Sequence, residues 1–209
     1  MSYIGSKPAN KPVVASDLDP TVITGQTALA VAPADTDEFL ISDAGVLKRL
    51  DASLVGGGGI TEADQWRVTA TGTGTGVFTA NWERNDTNFD KVGTGMSESS
   101  GIFTFPSTGI YKIDFQATGK NNAQTDYVSY RIETTPDNST YATASQQYAA
   151  CNTANSFCNF YMSVIFDVTN TTTHKVRFNH DQNEAGTFEK SSSTTAQVTG
   201  ATFIRLGDT

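Results

Sequence analysis

Few residues in this chain have the types and spacing that catalysis requires. The two histidines, His174 and His180, fall six residues apart on one predicted strand. By the strand rise their Cα atoms lie about 20 Å apart, so they cannot share a metal ion. Gly72-Thr73-Gly74-Thr75-Gly76 mimics part of a phosphate-binding loop, but no helix pattern follows it, which favours a bend or bulge. With no nucleophile elbow, P-loop or zinc-protease motif, we predict that the protein is not an enzyme.

Two clusters of amide and carboxylate side chains could provide oxygen ligands. They are Asn85, Asp86, Asn88 and Asp90, and then Asn179, Asp181, Asn183 and Glu184. Such loops can hold calcium, but neither cluster has the twelve-residue spacing of a defined calcium loop. Solvated turns are the favoured interpretation. We therefore predict no cofactor, with calcium as the alternative.

Tyrosines near these clusters suggest a carbohydrate ligand. The rings of Tyr127, Tyr141 and Tyr148 could stack on sugars while neighbouring amides form hydrogen bonds with sugar hydroxyls. We take Asn85, Asp86, Tyr127 and Tyr141 as the candidate receptor residues. A surface glycan is the hypothetical ligand.

The two cysteines, Cys151 and Cys158, flank a polar segment. The Asn, Thr and Ser residues between them suggest a hairpin loop that would bring the two ends together and permit a disulfide. Because the chain is made in a reducing cytosol, we favour two small semi-buried thiols instead. Neither spacing nor neighbours indicate zinc, since no second Cys or His pair follows.

The composition favours one all-β core. The chain has 209 residues, of which 10 % are aromatic and 17 % charged, with many Thr, Ser, Asn and Gly residues. A net charge of −8 disfavours unspecific attraction to nucleic acid or an anionic membrane. No apolar run approaches the roughly 20 residues that span a bilayer, and residues 1–8 lack an apolar signal-peptide core. We expect no nucleic-acid partner and no membrane insertion.

Residues 1–55 do not have the composition of a compact domain. Their apolar residues are scattered among prolines and bury too little to fold alone. Within them, Glu38–Ser42 and Val46–Leu50 flank the turn Asp43-Ala44-Gly45, which predicts a small β-hairpin over 38–50. Residues 51–55 could add a helical turn. An isolated hairpin is marginal in water, so a partner protein or two further copies of the chain should hold it.

Four consecutive glycines, Gly56–Gly59, predict a flexible linker over 56–60 between this arm and a domain over 61–209. In that domain, alternating apolar residues recur at intervals suited to about eight to ten short strands, with essentially no helix. Phe103–Phe105, a Pro-Ser-Thr-Gly turn and Tyr111–Phe115 predict a strand-turn-strand pair on which the others pack. The predicted fold is an all-β jelly-roll sandwich preceded by an extended N-terminal arm with a hairpin.

At Gly101–Tyr111, GIFTFPSTGIY, the sequence resembles a known family. This segment, in a chain that closes with Phe203–Gly207, resembles the globular head of the first complement component and the related tumour necrosis factor jelly rolls. With Trp82–Arg84 and Gly93–Ser100, it is still more similar to the version at the C-terminus of tailed-bacteriophage fibre and virion proteins. Residues 33–50 are similar to a short module common in phage tail-fibre proteins.

The resemblance implies a homotrimer in the virion, with the heads about a threefold axis and the N-terminal arm docked to other virion proteins. The expected docking residues are Tyr3, Ile4, Phe39, Leu40, Leu47 and Leu50. Independently, the strand around Ile165 is apolar on both faces and calls for neighbouring chains. The expected trimer contacts are Tyr161, Ile165 and Ile204.

Three functions compete at this point. The first is a trimeric fibre, on the tail or the head, whose arm anchors in the particle and whose knob attaches to the host surface. The second is a capsid decoration or cement protein that stabilises the head. The third is a polysaccharide depolymerase. It is the weakest of the three, because no paired carboxylates mark a convincing groove. The glycine linker favours a projecting knob.

Overall fold

The structure is a computed structural model that describes residues 21–209, except 32, 35, 56–58, 87, 88, 123, 124, 152, 184–187 and 191. The chain divides into two compact units, Met1–Gly58 and Gly59–Thr209. Within the described part, no helix is both long and apolar enough to cross a membrane.

The first unit contains a helical turn, α1 (Thr21–Thr24), and the predicted hairpin, which is confirmed as β1 (Glu38–Asp43) and β2 (Val46–Asp51). Ala44 and Gly45 both have positive φ, 49° and 84°, as a two-residue hairpin turn requires. A 3-10 turn over Ala52–Leu54 follows, where a helical turn was expected. Hydrogen-bonded pairing runs the full length of the hairpin, from Glu38 opposite Asp51 to Asp43 opposite Val46.

The second unit is a sandwich of two antiparallel sheets. The front sheet contains β3 (Ala63–Val68), β4 (Gly72–Thr73), β6 (Trp82–Arg84), β7 (Lys91–Val92), β10 (Gly109–Asn121), β13 (Phe157–Val168), β15 (Phe188–Lys190) and β16 (Gly200–Gly207). The back sheet contains β5 (Gly76–Val77), β8 (Ser97–Ser99), β9 (Ile102–Thr104), β11 (Thr125–Thr135), β12 (Ala142–Cys151) and β14 (Lys175–Gln182). The described strands outnumber the predicted eight to ten because several have only two or three residues, too few for a periodic pattern.

Aromatic rings from both sheets fill the space between them. Phe115 of the front sheet stacks on Phe178 of the back sheet with ring centroids 4.4 Å apart. Phe103 of the back sheet lies 5.2 Å from Phe203 of the front sheet, and both rings are buried. The core position follows from alternation, since β10 buries every second residue along its whole length.

The segment around Pro106 is a turn between two strands, as predicted, but these strands belong to different sheets and do not pair with each other. β9 pairs with β8 and β14, whereas β10 pairs with β13, β15 and β16. Phe103 and Tyr111 therefore enter the core from opposite sheets, and both are buried. At the start of β10, Gly109 has φ +144°, and a Cβ there would lie 2.6 Å from the Gly207 carbonyl oxygen. Only glycine fits this approach.

A disulfide joins Cys151 to Cys158, which corrects the favoured expectation of free thiols. The predicted hairpin is also wrong, because β12 pairs with β11 in the back sheet and β13 pairs with β10 in the front sheet. The short connection between these edge strands brings their Cα atoms to 6.2 Å, within disulfide range. The bond therefore closes one side of the sandwich.

We predict that this disulfide stabilises the second unit by about 2–3 kcal/mol, the loop-closure value for a separation of seven residues. Reduction should lower the urea midpoint of the wild-type protein and leave a Cys151→Ala/Cys158→Ala variant unchanged. Alkylation of the unreduced, unfolded protein should label neither cysteine. Labelling of both thiols in freshly purified protein would contradict the prediction.

Candidate functional site

His180 and the glycine run have structural positions, and His174 lies just before β14 and not on it. His180 is fully buried, and its Nδ1 lies 3.0 Å from the carbonyl oxygen of Gly74. The glycine run crosses from β4 in the front sheet to β5 in the back sheet, with positive φ at Gly74 and Gly76. Among the described residues, no group of three or more His, Cys, Asp or Glu side chains is placed to hold a metal ion.

The first oxygen-rich cluster surrounds a buried arginine. Asn85 is only 5 % exposed, so the structure places this predicted receptor residue inside the unit. Its Oδ1 accepts a hydrogen bond of 2.7 Å from Arg67, and its amide donates to Gln65. Asp86 is exposed and forms a longer ion pair with Arg67, 3.4 Å. Asn88, also in this cluster, lies outside the described residues. The Asn85 amide therefore serves folding, whereas Asp86 and Asp90 remain on the surface.

The second cluster lies mainly on strand β14 and not in a loop. Asn179 donates to Glu133 over 2.9 Å, and Asp181 accepts from Arg131 over 2.9 Å. Asn183, just after the strand, accepts the backbone N–H of Tyr127. Glu184 lies outside the described residues. These oxygens are engaged in cross-strand bonds on the outer surface of the back sheet.

Predicted receptor residues Tyr127 and Tyr141 lie toward opposite ends of that outer surface. Tyr127 forms an edge-to-face pair with Tyr148, with ring centroids 5.5 Å apart. Tyr141 lies beneath the Arg177 guanidinium, whose carbon is 3.9 Å from the ring centre. Sequence reasoning did not single out Arg131 or Arg177. The alternation of charged and apolar residues in β11 and β14 could have shown that both belong to this face.

The structure brings the three expected trimer contacts to one outer surface of the front sheet. Lys112 of β10 is paired with Ile165 of β13 on one side and with Ile204 of β16 on the other. Tyr161 lies on the same side of β13 and is 56 % exposed, while Ile165 is 64 % exposed. We call Tyr161, Ile165 and Ile204 the front apolar face. Phe157 and Leu206 are exposed further along the same two strands.

An ion pair lies within the front apolar face. Lys112 donates to Asp114 over 2.7 Å, and the Asp114 side chain is 15 % exposed. Burial by itself would raise the pKa of the Asp114 carboxyl, but the neighbouring Lys112, Ser163 and Tyr161 side chains outweigh it and lower that pKa. The hydrogen bond that Lys112 donates to Asp114 raises the pKa of Lys112. Both groups therefore stay charged at neutral pH.

The predicted docking residues that the structure describes expose apolar surface on the hairpin. Leu40 is 73 % and Leu47 is 71 % exposed, and both lie on one face of the hairpin. Phe39 pairs with Leu50 on the opposite face. Tyr3 and Ile4 lie outside the described residues. Each face of the hairpin thus presents apolar side chains, which is unusual for a two-stranded element in water.

Comparisons with solved structures identify the fold of the second unit. Murine APRIL, in its crystal structure at pH 5.0, matches with a TM-score of 0.53 and 13 % identity, over 69 % of this chain and 98 % of that chain. Eiger TNF from S. frugiperda matches with a TM-score of 0.54 and 9 % identity, over 72 % of this chain and 96 % of that chain. The predicted all-β jelly roll is confirmed, and its likeness is to the tumour necrosis factor jelly rolls. No protein-family model and no curated protein sequence matches the chain.

The Arg67 environment makes a testable prediction about Asn85. Asn85→Ala should destabilise the unit by about 1–3 kcal/mol, because a buried guanidinium loses one hydrogen-bond acceptor. Asp86→Ala is the matched control, since it also removes an acceptor of Arg67 but from an exposed side chain, and should cost less than about 1 kcal/mol. Urea unfolding measures both changes. Equal effects of the two substitutions would contradict the structural role of Asn85.

Proposed function

We propose that the protein is a structural component of a tailed-bacteriophage virion, a trimeric fibre with an N-terminal anchor and a jelly-roll knob that attaches to the host surface. The observation that carries the proposal is the front apolar face. The resemblance of Gly101–Tyr111 and of residues 33–50 to phage fibre proteins supports the virion assignment. The proposal includes no enzymatic activity, and hydrolysis of host polysaccharide by the purified full chain would contradict it.

The front apolar face has the properties of a self-association surface. Tyr161 and Ile165 extend from an edge strand, where a second sheet surface can pack without breaking any ladder. Burial of one such side chain is worth about 1.5–3 kcal/mol, and a threefold arrangement repeats that gain at every interface. The Lys112–Asp114 ion pair forms within one chain, so it can enter an interface without leaving a charge unpaired.

The hairpin supplies the anchor in this proposal. Leu40 and Leu47 expose apolar surface on one face while Phe39 and Leu50 supply the other, so two neighbours could cover it. Coverage by virion proteins, or by the hairpins of two further copies, removes that surface from water. Because the two units are connected through a glycine-rich segment, an anchored hairpin leaves the knob free to reach a host surface.

We predict that Ile165→Asp converts the trimer to a monomer, because it replaces an apolar contact with a charged side chain that the interface would have to remove from water. Size-exclusion chromatography with light scattering should show a threefold decrease in mass. Tyr148→Ala is the control, because Tyr148 is about as exposed as Ile165 but lies on the other sheet. This substitution should leave the mass unchanged. A monomeric wild-type chain, or an Ile165→Asp variant of unchanged mass, would contradict the proposal.

The anchor makes a separate prediction. Particles assembled with Leu40→Asp/Leu47→Asp as the sole copy should carry at least about tenfold less of the protein, since two apolar contacts are lost. Ser42→Ala, on the same hairpin face, is the control and should be incorporated normally. Immunoblots of purified particles measure incorporation, and circular dichroism checks that the jelly roll remains folded.

Imaging of the same particles locates the protein. Density for the knob projecting from the tail, or from the head surface on a visible stalk, is the expected result. Density lying flat between capsid subunits, with capsids that lose stability when the protein is absent, would favour the decoration protein instead. Normal incorporation of the Leu40→Asp/Leu47→Asp variant would show that the hairpin is not the anchor.

A further inference from the structure

We propose that the outer face of the back sheet binds a neutral, extended glycan. The residues that carry the inference are Tyr127, Tyr148, Arg131, Asp181, Arg177 and Tyr141, which we call the tyrosine-bounded face. The inference deepens the proposed function and rests on it, because it names the chemical class of host-surface ligand that the knob would bind.

One end of this face is an aromatic pair. Tyr148 is 62 % exposed on edge strand β12, and the half-buried Tyr127 ring supports it edge to face at 5.5 Å. Among the described residues of the back-sheet strands, Tyr148 is the only large aromatic residue whose side chain is exposed. A tyrosine ring fixed by a neighbour presents a flat apolar surface with a hydroxyl at its edge, which suits the C–H face of a sugar ring. The ring needs no rearrangement to stack.

The middle of the face is polar, ordered and balanced in charge. Arg131 donates to Asp181 over 2.9 Å, and Arg177 donates to Glu133 over 2.7 Å. Each arginine therefore has its carboxylate partner within the same sheet, and the two pairs carry no net charge. Side chains held in this way still offer donors and acceptors to sugar hydroxyls. A neutral ligand matches this surface better than an acidic one, which would have to compete with Asp181 and Glu133.

A β-bulge keeps the far end of the face in line. The register between β11 and β12 shifts between Ile132 and Glu133, so that Ile132 faces Ser145 and Glu133 faces Thr143. The extra residue reverses the alternation, which brings Tyr141 to the same side of the sheet as Tyr148. Arg177 packs over the Tyr141 ring at 3.9 Å. From Tyr127 to Glu133 the face extends about 20 Å by the strand rise, a length that suits a chain of several sugar rings.

The composition of the face argues against a second copy of the chain as its occupant. A self-association surface needs a continuous apolar area, and the front apolar face provides one. Here a single exposed tyrosine, Tyr148, adjoins ion-paired residues. The overall charge of −8 also disfavours acidic glycans through long-range repulsion.

The test uses the full-length protein on an array of linear oligosaccharides, neutral and acidic, followed by titration calorimetry with the strongest neutral binder. We expect binding to neutral oligosaccharides and weaker or no binding to acidic ones of the same length. Tyr148→Ala should reduce the affinity about tenfold or more, and Tyr148→Phe, which keeps the stacking ring, should retain most of it. Arg131→Ala should weaken binding as well.

Phe89→Ala is the control, because it removes an exposed aromatic ring that belongs neither to the tyrosine-bounded face nor to the front apolar face. It should leave glycan affinity unchanged when binding is expressed per folded chain. Thermal unfolding of each variant confirms that the protein is folded. Three results would overturn the inference: no neutral oligosaccharide binds, acidic ones bind better, or Tyr148→Ala binds as tightly as wild type.

Failure of this inference is distinguishable from failure of the proposed function. The oligomer mass depends on the front apolar face, and particle incorporation depends on the hairpin. Neither involves the back sheet. A trimeric, particle-bound protein whose Tyr148→Ala variant binds the glycan normally would overturn the glycan site alone. Saturable binding that persists in Tyr148→Ala but is lost in Asp86→Ala would move the site to the Arg67 loop and likewise overturn it.

Discussion

The packing of aromatic rings between two sheets is the constraint on which the rest of the second unit depends. Phe115 and Phe178 stack at 4.4 Å, and Phe160 packs on Tyr130 at 4.5 Å, each pair with one ring from each sheet. Since strands alternate, using every second residue for this core commits the intervening residues to the two outer surfaces. The core therefore decides which side chains are available for partners, before any partner is considered.

Closure of the sandwich also decides which groups of its edge strands are available to partners. β12 and β13 are successive in the chain but belong to different sheets, and the Cys151–Cys158 disulfide holds them together at one end. Along the same border, the Gln147 side chain accepts the backbone N–H of Tyr161, which occupies a group that an exposed edge would offer to another strand. The border between β12 and β13 is therefore poorly suited to pairing with a further strand, and its exposed side chains remain available for packing.

Much of the fold could be predicted from the sequence because alternation is local. The hairpin over 38–50 and the paired apolar rows around Pro106 needed only a few neighbouring residues. Whether Phe103–Phe105 and Tyr111–Phe115 pair or face each other could not be predicted, since a hairpin turn and a sheet-crossing turn have the same periodicity. The structural role of Asn85 could not be predicted for a related reason. Its partner Arg67 lies 18 residues away and meets it only through pairing of β3 with β6.

The two outer surfaces differ in a way that the shared core does not require. Inward residues of β10, β13, β11 and β14 are mainly aromatic or aliphatic, and the buried polar side chains among them include Asn121 and His180. Outward residues of the front sheet include Tyr161, Ile165 and Ile204, whereas those of the back sheet form the ion pairs Arg131–Asp181 and Arg177–Glu133. A monomer in water would gain nothing from an apolar surface on one side only. The asymmetry is explained if the front sheet packs against copies of the chain, which leaves the back sheet outermost and accessible to a ligand.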